Sequence, residues 1–473
     1  MTTSQIASLG EPGLRAFREG LAAQQAGRGP AAIEAYRRAL RQHPGLAPAH
    51  FNLGQLLRER GDYRGAAVAF EGAARLRPTA ADAWLNLGAM LERIDRHHDA
   101  VAAYQRAAAC LPADPTPQYN RGNALLALGD FPGAAEAFRA VIEAVPDHSD
   151  AQWNLATALL AQGKFLEGWA HYRWRWAKQG LDPAARFPWP LWNGEAVADR
   201  RILVWREQGI GDELLFATCL RELVAAGAEV TLVASPRLTA LFQRAFPSIT
   251  VVAEGKLKTA GTHFDWQIPI GELPRFLRRA RSDFPTVTKF LVPDSSHATR
   301  WANRLDKLGA GPKVGICWRS GLLTEERRRD FSELRDWKTL LELPEVHWIN
   351  LQYDDCAAEI AAVEALGVTI HRWRSEDLKN DLESVVGLLW NLDAVVTAPT
   401  AVSSLAGGAA IPTWEVDSGR DWTAHGEDRS PWFPSIQVFR RRRGTTDWLP
   451  VIERVAEDLT RTLGLSGRRE AIR

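Results

Sequence analysis

The sequence predicts two architectures in one chain: an all-helical repeat superhelix, then an α/β unit made of two doubly wound parallel-sheet halves. Three observations carry this. The first third repeats with a period of 34 residues, the signature of a helical solenoid. After Asn193 short apolar runs begin to alternate with helical segments, a pattern that builds parallel sheets covered by helices. The alternation loosens over residues 285–312 and restarts at Lys313. A chain of 473 residues exceeds one ordinary domain. The implied limits are 1–180 for the repeats, 181–199 for a linker, and 200–295 and 296–473 for the two halves.

The repeats begin near residues 13, 47, 81, 115 and 149. Their eighth positions are Gly20, Gly54, Gly88, Gly122 and Ala156, and their twentieth are Ala32, Ala66, Ala100, Ala134 and Gly168. The twenty-fourth is always aromatic (Tyr36, Phe70, Tyr104, Phe138, Tyr172), and Pro44, Pro78, Pro112 and Pro146 hold the thirty-second. Small residues let two helices approach, the ring fills the gap between them, and proline stops the second helix. These columns are identified as the tetratricopeptide pattern. A further column, Asn52, Asn86, Asn120 and Asn154, falls on the first helix of each pair. Amides that donate and accept suit the backbone of an extended peptide. The column resembles the asparagine ladder of eukaryotic O-linked N-acetylglucosamine transferases. Asparagine is also frequent at this place in the repeat consensus, so the peptide-binding and the consensus readings both stand at this point.

The last repeat runs into a Trp- and Pro-rich passage, residues 165–194, with Trp174, Trp176, Trp189 and Trp192. Clustered rings at a junction are expected to pack as an apolar collar rather than to serve as sugar platforms. The first half then reads as strands 200–205, 229–234 and 266–270, with helices over 213–226 and from about Pro236. The second half reads as strands 313–318, 347–353, 368–373, 394–398 and 411–416. Its helices fall at 334–343, 355–366, 381–392 and 401–409, and a closing helix spans 448–463. Ligands in open α/β sheets bind beyond the carboxyl ends of the strands, so the loops there hold the candidate site.

The first such loop is Glu207-Gln208-Gly209-Ile210-Gly211-Asp212-Glu213. Gly209 and Gly211 permit a sharp turn and close approach to a ligand, and Asp212 is placed to cap the helix and face a cleft. Alone, two glycines and an acid are weak evidence. The surrounding VWREQGIGDELLFATCLREL resembles the opening of bacterial glycosyltransferases related to the lipopolysaccharide heptosyltransferases (family 9), whose fold is the two-lobed GT-B arrangement of Rossmann-like domains. That resemblance implies a general-base role for Asp212. In the second half, Thr397 to Gly408 runs from a strand end into a helix. Its Thr400, Ala401, Val402 and Ser403 offer N–H groups and hydroxyls to a diphosphate. The segment is similar to the DTxVxHLAG stretch of the same transferases, with Pro399 and Ser404 where Asp and His are usual. In those relatives a hydroxyl and a basic residue after the preceding strand meet the donor phosphates. Here that implies Ser320 with Arg319 and Arg329, since a guanidinium binds phosphate bidentately, while Arg327 and Arg328 are expected in solvent. Tyr353 is a candidate to stack on a base. The run Arg440 to Arg443 reads as an exposed basic patch.

Other chemistries lack their motifs. The chain has no DxD triplet, HExxH, Walker loop or GxSxG, so metal-dependent transfer, zinc hydrolysis, NTP hydrolysis and serine hydrolysis are not indicated. The expectation is therefore no metal and no cofactor, with a nucleotide sugar as the donor substrate. A net charge of +1 gives no basis for nucleic-acid binding. Four scattered cysteines (Cys110, Cys219, Cys317, Cys356) suit a reducing compartment. With neither a signal-like N-terminus nor an apolar run of roughly 18 residues, a cytoplasmic protein that is not integral to a membrane is expected. Three functions follow. The first is a glycosyltransferase whose repeat groove recruits a protein acceptor, a bacterial surface or flagellar protein. The second is an inactive interaction scaffold retaining the fold, and the third is a nucleotide-sugar enzyme acting without transfer, such as an epimerase.

Overall fold

The computed structural model describes residues 11–286, 289–324, 327–442 and 445–465. The first ten residues and Arg443 of the basic run lie outside them. The chain divides between Ala158 and Leu159 into two compact units.

The first unit is built of helix pairs: Glu11–Gln25 with Gly29–Gln42, Ala47–Glu59 with Tyr63–Leu76, Ala81–Arg93 with His97–Cys110, and Thr116–Ala127 with Phe131–Ala144. Each second helix ends two residues before its proline, at Gln42, Leu76, Cys110 and Ala144. The repeat columns meet as their chemistry requires. A Cβ added at Gly54 would lie 2.8 Å from the Phe70 ring, and at Gly88 2.5 Å from the Tyr104 ring, closer than carbon atoms pack. The rings and the alanines of the twentieth position are buried. The turns inside the pairs use left-handed Gly27, Gly61 and Gly129, while the third repeat places Asp95 there at φ 61°, at a steric cost glycine avoids.

The second unit holds two parallel sheets. Strands β1 (Arg201–Trp205), β2 (Glu229–Ala234), β3 (Thr250–Ala253) and β4 (Trp266–Pro269) pair in the order β3-β2-β1-β4. Strands β5 (Lys313–Cys317), β6 (His347–Asn350), β7 (Ile370–His371), β8 (Ala394–Thr397), β9 (Thr413–Asp417) and β10 (Ile436–Arg440) pair as β10-β9-β8-β5-β6-β7. Both orders are of the Rossmann type, with their reversal points between β1 and β4 and between β5 and β8. The closing helix Leu449–Leu463 buries Val451, Ile452, Val455 and Leu459 against a core that includes Trp337, Trp414 and Trp448.

Several expectations are corrected. Strands β3 and β10 and the helix Ser295–Leu305 were not anticipated. The helix expected over 213–226 instead begins at Ile210 and breaks after Ala217, where the Thr218 hydroxyl donates back to the Leu215 carbonyl at 2.7 Å, a bond that disturbs helices. The expected linker is tied to β4: Trp192 N–H donates to the Gln267 carbonyl and Gln267 N–H to the Pro190 carbonyl, both at 2.9 Å. The Gln267 amide also donates to the carbonyls of Phe187 and Trp189. Trp176 and Trp189 pack with Trp205, Leu203 and Phe264 in one apolar cluster, and Trp192 is buried as well. Trp174 is half-buried.

Candidate active site

Within the second unit a cavity of about 570 Å³ lies at the carboxyl ends of the strands. It is lined by Gly209 to Asp212 after β1, Ser320 after β5, Pro399 to Ala401 with Ser403 and Ser404 after β8, and Glu415, Asp417, Arg420, Asp421 and Trp422 on and after β9. Arg327, Asp330 and Tyr353 complete the polar wall. The cavity thus spans the β5/β8 reversal point, where ligands of such sheets bind.

Asp212 stands in the first turn of the helix Ile210–Ala217 and accepts the Gly209 N–H at 3.2 Å. It therefore caps the helix and faces the cavity at once. Burial raises its pKa to about 6, nearby Glu207 and Asp421 push the same way, and the Gly209 N–H opposes them. At neutral pH the group is mostly ionised yet basic enough to take a proton.

The loop that presents Asp212 is held by residues the sequence did not single out. Arg175 is 2% exposed. It grips both oxygens of buried Glu207 at 2.7 Å and donates to Glu272 at 2.6 Å and to the Tyr172 carbonyl at 3.1 Å. It also lies over the rings of Tyr172 and Trp176. Glu207 further accepts the Gly271 N–H at 2.8 Å. Gln208, at a left-handed φ of 59°, is hydrogen-bonded to the Tyr172 hydroxyl. Glu213 is fully buried; it pairs with Arg206 at 2.9 Å and accepts the Ser235 N–H at 2.8 Å. A strained residue clamped on both sides fixes where Asp212 points.

Across the cavity the helix Ala401–Gly408 begins at Thr400, whose hydroxyl accepts the Val402 N–H at 3.3 Å. Ser403 donates its hydroxyl to Glu415, so only part of the nominated hydroxyl set remains open to a ligand. Ser320 lines the cavity and accepts the Leu322 N–H. The nominated arginines are placed otherwise than expected. Arg319 is buried and does not line the cavity: its guanidinium is spent on Asp354, Glu359 and the Asp355 carbonyl. Arg329 also stands outside the lining; Arg327 and Arg328 are exposed, as expected, and Arg327 lines the cavity as well. Arg420, pinned to Asp330, is a second cation that sequence reasoning missed. Tyr353 accepts the Gly321 N–H at 3.1 Å and lines both this cavity and a second one of about 450 Å³ beside Trp373.

The basic run is not simply a surface patch. Arg440 reaches inward to Asp417, with Nε 3.6 Å from its carboxylate, and also binds Asp428. Arg441 lies 4.2 Å over the Trp448 ring, and burial lowers its pKa. Arg442 is exposed. Glu415, Asp417 and Asp421 crowd at the end of β9, and burial raises the pKa of all three. Only the acids alternating through the end of IPTWEVDSGRD could have signalled this wall. Among the described residues no cluster of three or more His, Cys, Asp or Glu is arranged to hold a metal.

In the first unit, the asparagine column is partly used within the chain. Asn52 donates to the Tyr36 hydroxyl at 3.2 Å, Asn86 donates to the Asp82 carbonyl at 2.8 Å and accepts from Arg58, and Asn154 donates to Asn123 at 2.9 Å. All four asparagines are half-buried.

Family comparison agrees with the helix pairs: the tetratricopeptide repeat model matches residues 17–78, 51–115 and 119–173. The chain carries tetratricopeptide repeats. It is also 37% identical over 311 residues to protein FlbA of Caulobacter vibrioides. That match takes in 62% of this chain and 52% of FlbA, so the chain spans about half the length of this curated relative. Among solved structures, MamA is 24% identical, covering 34% of this chain and 94% of its own with a TM-score of 0.32. YrrB, described as a TPR protein with an unusual peptide-binding site, is 22% identical, covering 38% and 92% with a TM-score of 0.34. Among the described residues no helix is long and apolar enough to cross a membrane.

Proposed function

We propose that the α/β unit is a metal-independent glycosyltransferase that moves a sugar from a nucleotide-sugar donor to a protein delivered by the tetratricopeptide repeats. The observation that carries this reading is the opposition, across one cavity, of the basic carboxylate Asp212 and the N-terminus of the helix Ala401–Gly408. The carboxylate removes the proton from an acceptor hydroxyl as its oxygen attacks the anomeric carbon. The bond from that carbon to the donor phosphate oxygen breaks, and the nucleoside diphosphate departs against the helix N–H groups and Arg327. Helix N-termini favour anions, so no cofactor is required for this step. The repeats supply the acceptor, since stacked helix pairs are extended protein-binding surfaces, and the Asn column with Asn120 is where an extended segment would lie. Placement in the cytoplasm, where nucleotide sugars are made, belongs to the same proposal.

A second reading, an interaction scaffold without turnover, has its own support. Pro399 and Ser404 stand where the related transferases carry Asp and His, and Arg319 is locked away from the cavity. Release of nucleoside diphosphate from a panel of nucleotide sugars separates the two. Turnover that disappears in Asp212→Asn, with the variant still folded, supports transfer. Donor binding with no turnover in the wild type refutes transfer and leaves the scaffold. Slower protein glycosylation in Asn120→Ala, at unchanged donor hydrolysis, would support capture in the groove.

A further inference from the structure

The repeat unit supplies its own comparison set, because residues 34 apart hold equivalent places on successive helix pairs. A groove of about 550 Å³ lies between the second helices of the second and third pairs, Tyr63–Leu76 and His97–Cys110, with the first helix Ala81–Arg93 as its floor. On that floor Trp84, Leu87 and Leu91 share one face, at spacings of three and four residues. Asn86 points elsewhere and accepts from Arg58 of the preceding first helix, so this groove is not the Asn column. Two of its residues exceed what the repeat requires. Val68 is 70% exposed, where the second helices of the other three pairs carry Glu34, Ala102 and Glu136. Half-buried Trp84 stands where the other first helices carry Ala16, His50, Gln118 and Gln152. The rim is basic. Arg75 pairs with Glu71 at 2.6 Å and Arg96 with Asp99 at 2.7 Å, which accounts for both acids of the lining. Arg64 and Arg106 are exposed, line the groove too, and have no side-chain hydrogen bond or ion pair among the described residues. Their equivalents are Pro30, His98 and Pro132, and Arg38, Gly72 and Ala140; of these only Arg38 is a permanent cation, and Glu19 already holds it.

We propose that this groove docks an acidic amphipathic helix of a partner protein, which lays a large apolar side chain over Val68 and carboxylates on Arg64 and Arg106. The occupant is helical because the groove walls are helices. Their backbone groups are already paired, so an extended segment would set its own N–H and C=O groups over an apolar floor, whereas a helix satisfies them internally. The occupant is acidic because the uncommitted charges of the rim are both positive. Second helices of successive repeats run parallel, so Arg64 sits level with His98, and Arg106 lies eight residues further along, about 12 Å or two helical turns. Acids about two turns apart on one face of the incoming helix meet both cations, with the apolar residue between them over Val68. Covering Val68 and Trp84 removes apolar surface from water and supplies affinity, while the charges select the partner and its orientation. The Asn column stays open, so a partner docked here and a segment on that column can be held together. The inference needs only the repeat unit and is independent of glycosyl transfer.

The probe is a library of hydrocarbon-stapled helical peptides of about 15 residues, randomised along one face and selected on the full chain. Enriched peptides should carry Asp or Glu about two turns apart around Leu, Ile, Phe or Trp. In fluorescence anisotropy the tightest of them should bind about tenfold more weakly to Val68→Glu, and equally so to the double variant Arg64→Ala, Arg106→Ala. Its affinity for the wild type should also fall as salt rises from about 50 to 300 mM. Val68→Glu installs the residue that two other repeats hold in that place, so the thermal melt should not move; if it does, the arginine variant decides. Enrichment of neutral or basic peptides overturns the proposal, as does binding that neither variant weakens. Binding that survives both variants and is lost in Asn120→Ala belongs to the Asn column and overturns it as well. Sedimentation of the full chain covers the remaining occupant: self-association that Val68→Glu abolishes makes a second copy the partner and refutes the acidic helix.

Discussion

Replacing Arg175 by Met tests whether the loop carrying Asp212 is held by a buried charge network. The guanidinium offsets two carboxylates, Glu207 and Glu272, whose side chains are 4% and 13% exposed. Removing one partner of such a pair strands the other in a medium that solvates it poorly, at a cost of about 3–5 kcal/mol. Methionine keeps contact with Tyr172 and Trp176 but forfeits the cationic stacking on both rings. A domain's whole stability is about 5–15 kcal/mol, so the loss is large. Urea unfolding followed by tryptophan fluorescence is the assay, because every tryptophan except Trp84 and Trp153 lies in the α/β unit. The double variant Arg175→Met, Glu207→Gln is the decisive control. Its amide oxygen still accepts the Gly271 N–H, but no charge is stranded at position 207, and about 2 kcal/mol or more of the loss should return. If Arg175→Met costs less than about 1 kcal/mol, or if the double variant loses the sum of the single losses, the network does not hold the loop.

Asp212 has a raised pKa in the folded chain, so the folded state binds the extra proton and stability falls as pH rises from about 4 to 6. Asp212→Asn should then unfold later than wild type at pH 7, by up to about 3 kcal/mol, and match it near pH 4; a destabilised Asn variant at pH 7 refutes the sign. On the proposed reaction the same group must lose its proton to act, so kcat/KM should climb through pH 6 and level off above it, and a flat profile from pH 5 to 8 would remove Asp212 from the role of base. Gly88→Val drives a side chain into the Tyr104 ring and should cost about 1–3 kcal/mol, whereas Gly29→Ala, with open space around its Cβ, should be neutral or stabilising in the same melt. Arg319→Met should lower the melting temperature and leave diphosphate affinity alone, while Arg327→Ala should weaken diphosphate binding about tenfold without moving the melt; the reverse assignment would restore Arg319 as the phosphate ligand.

What could be read in the sequence was whatever short-range chemistry writes. The 34-residue columns repeat because each glycine must admit one ring sixteen residues later, and that constraint lies within a single helix pair. Strands β1, β2, β4, β5, β6, β8 and β9 announce themselves as apolar runs. By contrast β3 is only Thr250–Ala253, half-exposed along most of its length, and β10 is sandwiched between PWFPS and four arginines that resemble a surface segment. Arg319 was misplaced for a related reason. An arginine after a strand suits phosphate, and nothing local reveals that Asp354 and Glu359, 35 and 40 residues onward, claim its guanidinium first. Arg175 is the extreme case, a cation inside a Trp-rich passage whose partners stand 32 and 97 residues away. Ion pairs obey geometry rather than spacing, so the charges that shape this cleft could not be assigned before the fold was known.

The same geometry explains how one cleft tolerates so much like charge. Asp212, Asp330, Glu415, Asp417 and Asp421 share the lining with two arginines, of which Arg420 is already committed to Asp330. Ionising all five together in a partly buried space would be prohibitive, and the rise in pKa of Asp212, Glu415, Asp417 and Asp421 is the fold's response. The causes differ from one acid to the next. Glu415 and Asp417 are raised by their own burial and by Asp421 beside them, with the Ser403 hydroxyl and Arg440 opposing the rise. Asp212 is raised by burial and by Glu207 and Asp421, with backbone N–H groups opposing it. Arg175 bears on this from outside the cavity, because it holds both oxygens of Glu207 and a freed Glu207 carboxylate would add its full charge beside Asp212.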